Sequence, residues 1–210
     1  MRKYLATLVL AMACSPQVMA IILPPGGFGV PDVPGGPPGG VVVASTAVIP
    51  FASSPDPTKL NGTIQTTVYT GDAANPFGAT GLDFVYTITI NAGAKNSAGR
   101  FTADGFSIFP LVDAANAAGT PASEADRSLF DGGDVVGFDF PNPFRLPPGG
   151  TSTLVIYTPS AKVVPGFVNI IDGGVTSVAS LAPSPAVPEP MTFALMGAGL
   201  AALGALRRRK

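Results

Sequence analysis

The chain of 210 residues contains 26 glycines, 23 prolines, one cysteine, no histidine and no tryptophan, and 12% of its residues are charged, which is about half the usual fraction. The absence of histidine excludes a Ser-His-Asp triad, a Cys-His pair and a histidine-ligated metal, and the single cysteine excludes an intramolecular disulfide and a cysteine-based zinc site. Because 46% of the residues are apolar and few are charged, the composition is not that of a solvated, disordered chain.

The N-terminus predicts a secretory signal peptide over residues 1–20. Two basic residues precede a short apolar run, which is too short to span a membrane, and the segment ends in Val-Met-Ala, with small or short residues where a signal peptidase cleaves. We therefore expect export through the Sec translocon and cleavage by signal peptidase after Ala20. Lipidation of Cys14 is the alternative, although Ala11 stands where lipoprotein signals usually have leucine.

Residues 21–40 predict a disordered, partly polyproline II spacer. From Pro24 to Gly40 most positions are proline or glycine. Proline prevents helix formation, glycine adds entropy to the unfolded chain, and almost no side chain in this stretch has apolar surface to bury.

Residues 41–182 have the pattern of a β-rich domain. The segment Leu82–Asn91 alternates strictly between apolar and mainly polar residues, which is the period of a half-buried strand. Glycine-, proline- and aspartate-rich turns separate the candidate strands, and Ala114–Ala118 has room for one helical turn. The further expected strands are Val41–Ile49, Thr63–Thr70, Arg100–Phe109, Val135–Phe140, Ser152–Thr158, Phe167–Ile171 and Val175–Leu181.

About eight short strands predict an all-β fold, an antiparallel β-sandwich of immunoglobulin-like or jelly-roll type. The domain is large enough for a core without disulfides. The expected core residues are Phe84, Tyr86, Ile88, Phe101, Phe106, Phe138, Phe140, Leu154, Ile156 and Ile170.

One acidic region is a candidate calcium site. Asp131 and Asp134 flank two glycines, and calcium requires several oxygen ligands on a flexible loop. The segment matches neither an EF-hand loop nor a repeated calcium-binding motif. The alternative is that these aspartates form turns and keep the loop soluble. The neighbouring acidic residues are Glu124, Asp126 and Asp139.

No catalytic constellation is present in the sequence, and we expect no enzyme activity. A glycosidase would need two carboxylates at a defined separation, and no tryptophan is available to stack on sugar rings. Polysaccharide binding without catalysis is a more plausible activity of a sandwich face. The many threonines, among them Thr63, Thr67, Thr87 and Thr89, are explained by β propensity on a solvent-facing surface, although a flat threonine array can also match an ice lattice.

The C-terminus predicts a short linker, 183–186, followed by an apolar helix over residues 191–206. Pro190 suits the first position of a helix, and Glu189 is favoured at its positive end. The basic residues that follow place the C-terminus in the cytoplasm, so the bulk of the chain lies outside the inner membrane. These residues are Arg207, Arg208, Arg209 and Lys210.

Residues 187–210 resemble the PEP-CTERM sorting signal, a tail also labelled an ice-binding protein C-terminal domain. The resemblance rests on Pro188, Glu189 and Pro190, the short glycine-bearing apolar helix and the terminal arginine cluster of Arg207, Arg208 and Arg209. It implies processing by exosortase, a membrane protease of Gram-negative bacteria, and an association with exopolysaccharide and biofilm matrix. It implies nothing about the activity of the folded part.

Together these patterns predict an exported structural or adhesive protein of the cell surface or extracellular matrix, with a transient inner-membrane intermediate. The alternative is a polysaccharide- or calcium-binding module at the same place. Removal of both ends leaves six basic and twelve acidic residues, so the processed product has a net charge of −6. We therefore expect no binding to nucleic acid.

Overall fold

The computed structural model describes residues 21–33, 36 and 38–184, which form thirteen strands and no helix. Most strands are short and lie where the alternating or β-branched segments were expected. The strands are β1 (Ile21–Leu23), β2 (Phe28–Gly29), β3 (Val41–Ser45), β4 (Ile49–Ala52), β5 (Asn61–Thr70), β6 (Leu82–Ile90), β7 (Arg100–Ala103), β8 (Val112–Gly119), β9 (Glu124–Arg127), β10 (Val136–Asp139), β11 (Thr151–Thr158), β12 (Lys162–Ile171) and β13 (Val175–Ser184).

These strands form two sheets. The seven-stranded sheet has the order β1-β8-β11-β6-β5-β3, with β4 also paired to β5, and the six-stranded sheet has the order β13-β12-β7-β10-β9-β2. Every pair of strands is antiparallel. The all-β, antiparallel prediction is confirmed, and two sheets over one core are the arrangement expected of a sandwich. The immunoglobulin-like or jelly-roll assignment stays a prediction.

The apolar faces of the two sheets share one core. Tyr86 on β6 packs against Phe101 on β7 with ring centroids 5.1 Å apart, and Phe101 in turn lies 6.2 Å from Phe138 on β10. Such tilted aromatic pairs add to the free energy gained by burying their area. All of the predicted core residues, from Phe84 to Ile170, are buried.

The expected helical turn at Ala114–Ala118 is wrong, because this segment lies inside β8. Alanine favours a helix in isolation. Here Ala114 is fully buried in the core, and β8 pairs with β1 on one side and β11 on the other. Tertiary burial therefore outweighs local propensity.

The first part of the predicted spacer, residues 21–33, belongs to the fold. Strand β1 pairs with β8 in the larger sheet, and β2 pairs with β9 in the smaller one. Leu23 is fully buried, and Gly26, at φ 77°, forms the turn between the two strands. The expectation that almost nothing is buried concerned Pro24–Gly40, and the buried Leu23 lies just before that stretch, among the apolar residues Ile21–Leu23. Residues 34, 35 and 37 lie outside the described residues.

The folded part also extends further towards the C-terminus than expected. Strand β13 ends at Ser184, so two residues of the predicted linker 183–186 are part of a sheet. In the stretch that the structure describes, no helix is long and apolar enough to cross a membrane. The predicted signal peptide and the predicted helix 191–206 lie outside that stretch.

A buried arginine joins β1, at the edge of the larger sheet, to β9, the strand next to the edge of the smaller sheet. Arg127, on β9, is 2% exposed, and its guanidinium donates only to backbone carbonyls. Burial lowers the pKa of Arg127, opposed by the charge of Asp134, but an arginine still carries its charge at any ordinary pH. The acceptors are the carbonyls of Gly133 at 2.7 Å, Leu23 at 3.1 Å, Pro110 at 3.3 Å, Phe106 at 2.7 Å and Phe109 at 2.6 Å.

We predict that Arg127→Met lowers the free energy of unfolding by at least about 3 kcal/mol, since it leaves buried carbonyls without a donor. Urea denaturation of the purified protein measures the change. Arg145→Met, at a partly exposed arginine, is the matched control and is expected to change stability by less than about 0.5 kcal/mol. Equal stabilities of the two variants would contradict this role for Arg127.

Candidate functional site

Threonines form a polar surface on the outer face of the seven-stranded sheet. Neighbouring residues on β5, β6 and β11 make one row of Thr63, Thr89 and Thr151, and a second row includes Thr87 and Thr153. Thr89 and Thr151 share a hydrogen bond of 3.0 Å between their hydroxyls, and all five side chains are partly exposed. The surface therefore offers regularly spaced hydroxyl groups to solvent.

Three carboxylates come together on the outer face of the six-stranded sheet. Glu124, Asp126 and Asp139 lie close enough for one oxygen of each to reach a common ion. Arg100 already bridges two of them: it binds Asp126 through two oxygens at 2.6 and 2.8 Å and Asp139 at 2.6 Å. Burial alone would lower the pKa of Arg100. The hydrogen bonds with Asp126 and Asp139 outweigh this effect, so the pKa of Arg100 is raised. A metal ion at this place would have to displace the guanidinium.

The predicted calcium candidates lie apart from this group. Asp131 is exposed, at φ 56°, and begins the turn that contains Gly132 and Gly133. Asp134 accepts a hydrogen bond of 3.3 Å from the amide of Ser107. The structure thus supports the turn-forming role of these aspartates, and calcium binding by Asp131 and Asp134 stays a prediction.

A second acidic group, not singled out from the sequence, lies buried on the outer face of the seven-stranded sheet. One row across this sheet contains Tyr69 on β5, Asp83 on β6, Tyr157 on β11 and Asp113 on β8. Asp83 and Asp113 are both fully buried. Two charge-bearing groups are therefore buried beside apolar side chains, which is costly unless they are compensated.

The loop after β5 covers one of these carboxylates. Asn75, in this loop, donates to Asp83 Oδ1 at 2.6 Å and more weakly to the Thr158 carbonyl at 3.4 Å. Asp72, in the same loop, is 7% exposed and lies within hydrogen-bonding reach of Asp83. One oxygen of each aspartate has no hydrogen-bond partner. Burial raises the pKa of Asp83 to about 7. The hydrogen bond from Asn75 opposes this rise, and the neighbouring Asp72 adds to it.

Asp113 has a similar environment on the other side of Tyr157. Neither of its oxygens has a well-formed hydrogen bond, and Asp32, from the N-terminal segment, is its charged neighbour. Burial, together with the charge of Asp32, raises the pKa of Asp113 to about 7. The nearby amide of Ala114 lowers this pKa, but by less. Burial and the surrounding aspartates likewise raise the pKa of Tyr157.

Sequence reasoning missed this group because its members come from four separate segments. The alternation of β6 placed Asp83 on the face opposite the core, which is correct, and such a residue is normally exposed. What buries it is the fold of the loop after β5. The only local signal was that one aspartate precedes the loop residues and another follows them in the sequence, Asp72 and Asp83.

Comparison with known proteins identifies the tail. Residues 186–210 match the family model of the PEP-CTERM protein-sorting motif, which confirms the resemblance seen in the sequence and marks an exported protein targeted to exosortase. No curated protein and no solved structure matches the chain. The predicted recognition residues, Pro188–Pro190 and Arg207–Arg209, fall inside the matched segment, and they lie, like the predicted cleavage residue Ala20, outside the described residues.

The two raised carboxyl pKa values predict that stability falls as pH rises. In the unfolded chain an aspartate titrates near pH 4, so between about pH 4 and 7 the native state binds more protons at Asp83 and Asp113. The stabilisation is complete below about pH 4 and is lost as pH rises through about 7. In chelator-containing buffer we expect a higher Tm at pH 5 than at pH 8.

The double variant Asp83→Asn/Asp113→Asn is the control for this pH dependence. The neutral amides stay uncharged over the whole range, so most of the difference in Tm between pH 5 and pH 8 should disappear. A difference that persists unchanged in the double variant would assign the pH dependence to other groups, such as Asp104, whose pKa burial also raises.

Proposed function

We propose that the exported protein is a structural or adhesive β-sandwich of the cell surface or extracellular matrix, delivered by exosortase in a Gram-negative bacterium. The observation that carries this proposal is the sorting motif at residues 186–210. We further propose that the signal peptide 1–20 directs passage through the Sec translocon, and that the helix 191–206 holds the intermediate in the inner membrane before cleavage near Pro188–Pro190.

The short distance between fold and motif supports this order of events. Strand β13 ends at Ser184, and the motif begins at residue 186. Cleavage near Pro190 would release the folded part with only a few additional residues at its C-terminus. The released product would be acidic, which favours solubility and disfavours association with nucleic acid.

We propose that this protein acts without catalysis. Two of the three carboxylates on the six-stranded sheet are bound by Arg100, and Asp83 and Asp113 on the other sheet are fully buried, out of reach of a polymer. Hydrolysis of a matrix polymer by the pure protein would overturn this part of the proposal.

The second candidate function is polysaccharide binding, and the threonine surface favours it. Its hydroxyls donate and accept hydrogen bonds in rows on one face of the sheet, which suits an extended, hydroxyl-rich polymer. The face lies on the seven-stranded sheet, away from the Arg100 group.

For the sorting proposal, we predict that Glu189→Gln in the native host leaves the tail attached. The intact mass of the wild-type protein should lack residues 1–20 and the chain beyond about Pro190, whereas the variant should accumulate in the membrane fraction with the tail retained. Glu124→Gln changes the only other glutamate and should be processed normally. A wild-type protein that keeps residues 191–210 in the membrane would show a permanent anchor instead.

For polysaccharide binding, we predict that Thr63→Val/Thr89→Val/Thr151→Val abolishes retention on the host's matrix polysaccharide. The substitutions keep the β-branched shape and remove three neighbouring hydroxyls. Thr176→Val, on the other sheet, is the control and should be retained like the wild type. Equal retention of wild type and triple variant, or no retention of either, would exclude the threonine surface as the binding face.

A further inference from the structure

The two acidic groups of this fold differ in how their charge is compensated. On the six-stranded sheet, Arg100 supplies a cation to Asp126 and Asp139. The charged group that affects Asp83 is itself negative. Asp72 raises the pKa of Asp83, and no basic side chain lowers it. The buried group on the seven-stranded sheet therefore lacks the internal cation that the other group has.

The contact between Asp72 and Asp83 is unfavourable when both are ionised. Both residues are at least nine-tenths buried, and each has one oxygen without a hydrogen-bond partner. Their remaining oxygens are held by the same loop, since Asp72 Oδ1 accepts from the Ala74 amide at 2.9 Å and Asp83 Oδ1 accepts from Asn75 at 2.6 Å. The other oxygen of each carboxylate is buried with no hydrogen-bond partner, so nothing in the fold compensates the pair when both are ionised.

Only two kinds of species relieve such a contact: a proton shared by the carboxylates, or a cation bound between them. We propose that Asp72 and Asp83 form a calcium-binding site at the loop that follows β5. Asp113 and Asp32, on the other side of Tyr157, add negative potential to the same face.

The donor chemistry favours calcium over other divalent ions. The available ligands are oxygen atoms: the two carboxylates and the carbonyl of Thr158, to which Asn75 donates at 3.4 Å. The amide oxygen of Asn75 is held by the Phe77 amide at 2.8 Å and faces away from Asp83. Calcium accepts such a mixed, irregular set and completes it with water, whereas magnesium demands near-ideal octahedral geometry. No histidine or described cysteine is present to favour zinc or copper.

The site would act outside the cell, where calcium is abundant and extracellular modules typically bind it with dissociation constants of about 0.1–1 mM. Occupancy would fasten the loop from Asp72 to Gly81 onto the start of β6. This inference does not depend on the route of export, so its failure leaves the sorting proposal intact.

The test uses the full chain, purified in a non-ionic detergent and freed of metal with a chelator. Calcium is titrated at pH 8 and followed by Tm and by calorimetry. We expect Tm to rise with calcium for the wild type, and Asp83→Asn to lose at least tenfold in affinity. This variant should still fold, because its amide oxygen can accept from Asn75 and its NH₂ can donate to Asp72.

Asp131→Asn is the matched control, since Asp131 is exposed and asparagine tolerates its left-handed backbone. It should bind calcium like the wild type. Absence of a calcium effect on the wild type would overturn the proposal, and so would a calcium response that survives in Asp83→Asn or is lost in Asp131→Asn.

Terbium gives a second, local readout. The chain has no tryptophan, so terbium luminescence excited through the protein reports on nearby tyrosines, and Tyr69 and Tyr157 both flank Asp83 across the sheet. We expect luminescence that calcium competes away and that Asp83→Asn abolishes. Tyr69→Phe/Tyr157→Phe should lose the luminescence and keep the calcium-induced rise in Tm; luminescence that persists in this double variant would place the ion elsewhere.

Discussion

The buried guanidinium of Arg127 is the interaction on which the edges of this fold depend. Its five hydrogen bonds go to carbonyls of the first strand, of the segment after β7 and of the turn before β10. The last two of these segments lie outside the strands, and carbonyls buried without a donor are costly. The folded part has no disulfides. Arg127 therefore connects several segments through its hydrogen bonds and holds β1 in the larger sheet close to β9 in the smaller one.

The outer faces of the two sheets show how the fold handles its acidic residues. On one face Gly137, opposite Asp126 and next to Arg100, leaves the space through which the guanidinium reaches its second carboxylate; a Cβ there would lie 2.6 Å from Asp126 Oδ1. On the other face the neighbours of Asp83 and Asp113 are tyrosines and aspartates. Arg100 balances part of the charge on the first face, whereas no basic side chain contributes at Asp83 or Asp113 on the second.

The sequence predicted the parts of the fold that repeat a local pattern. The alternation of β6, the aromatic core and the antiparallel all-β class follow from side chains that face inward at every second residue, as Phe84 and Tyr86 do. Segments whose conformation is decided by distant partners were missed: Ala114–Ala118 became a strand because β11 and β1 flank it, and Ile21–Leu23 joined a sheet despite the prolines that follow.

The candidate sites show the same limit. Sequence proximity directed attention to Asp131 and Asp134, which share a turn, whereas the buried aspartates that meet in space are far apart in the chain or separated by a loop. A carboxylate in a strand is normally solvated, so nothing in the sequence around Asp83 indicated that this residue is buried. Only the sorting motif, a contiguous signal at residues 186–210, could be assigned completely from sequence.

The buried acidic group and the exit of the chain towards its tail lie at the same end of the fold. Ser160 donates to the carbonyl of Ser184, the last residue of β13, at 2.8 Å, and its own amide donates to Thr158 Oγ1 at 3.3 Å. The carbonyl of Thr158 is in turn an acceptor for Asn75, which also holds Asp83. A short chain of hydrogen bonds thus connects the last strand before the sorting motif with the loop that covers the acidic group. An ion bound at that loop would stabilise the end of the fold from which the tail departs, so cation binding and the release of the tail would affect the same region of the protein.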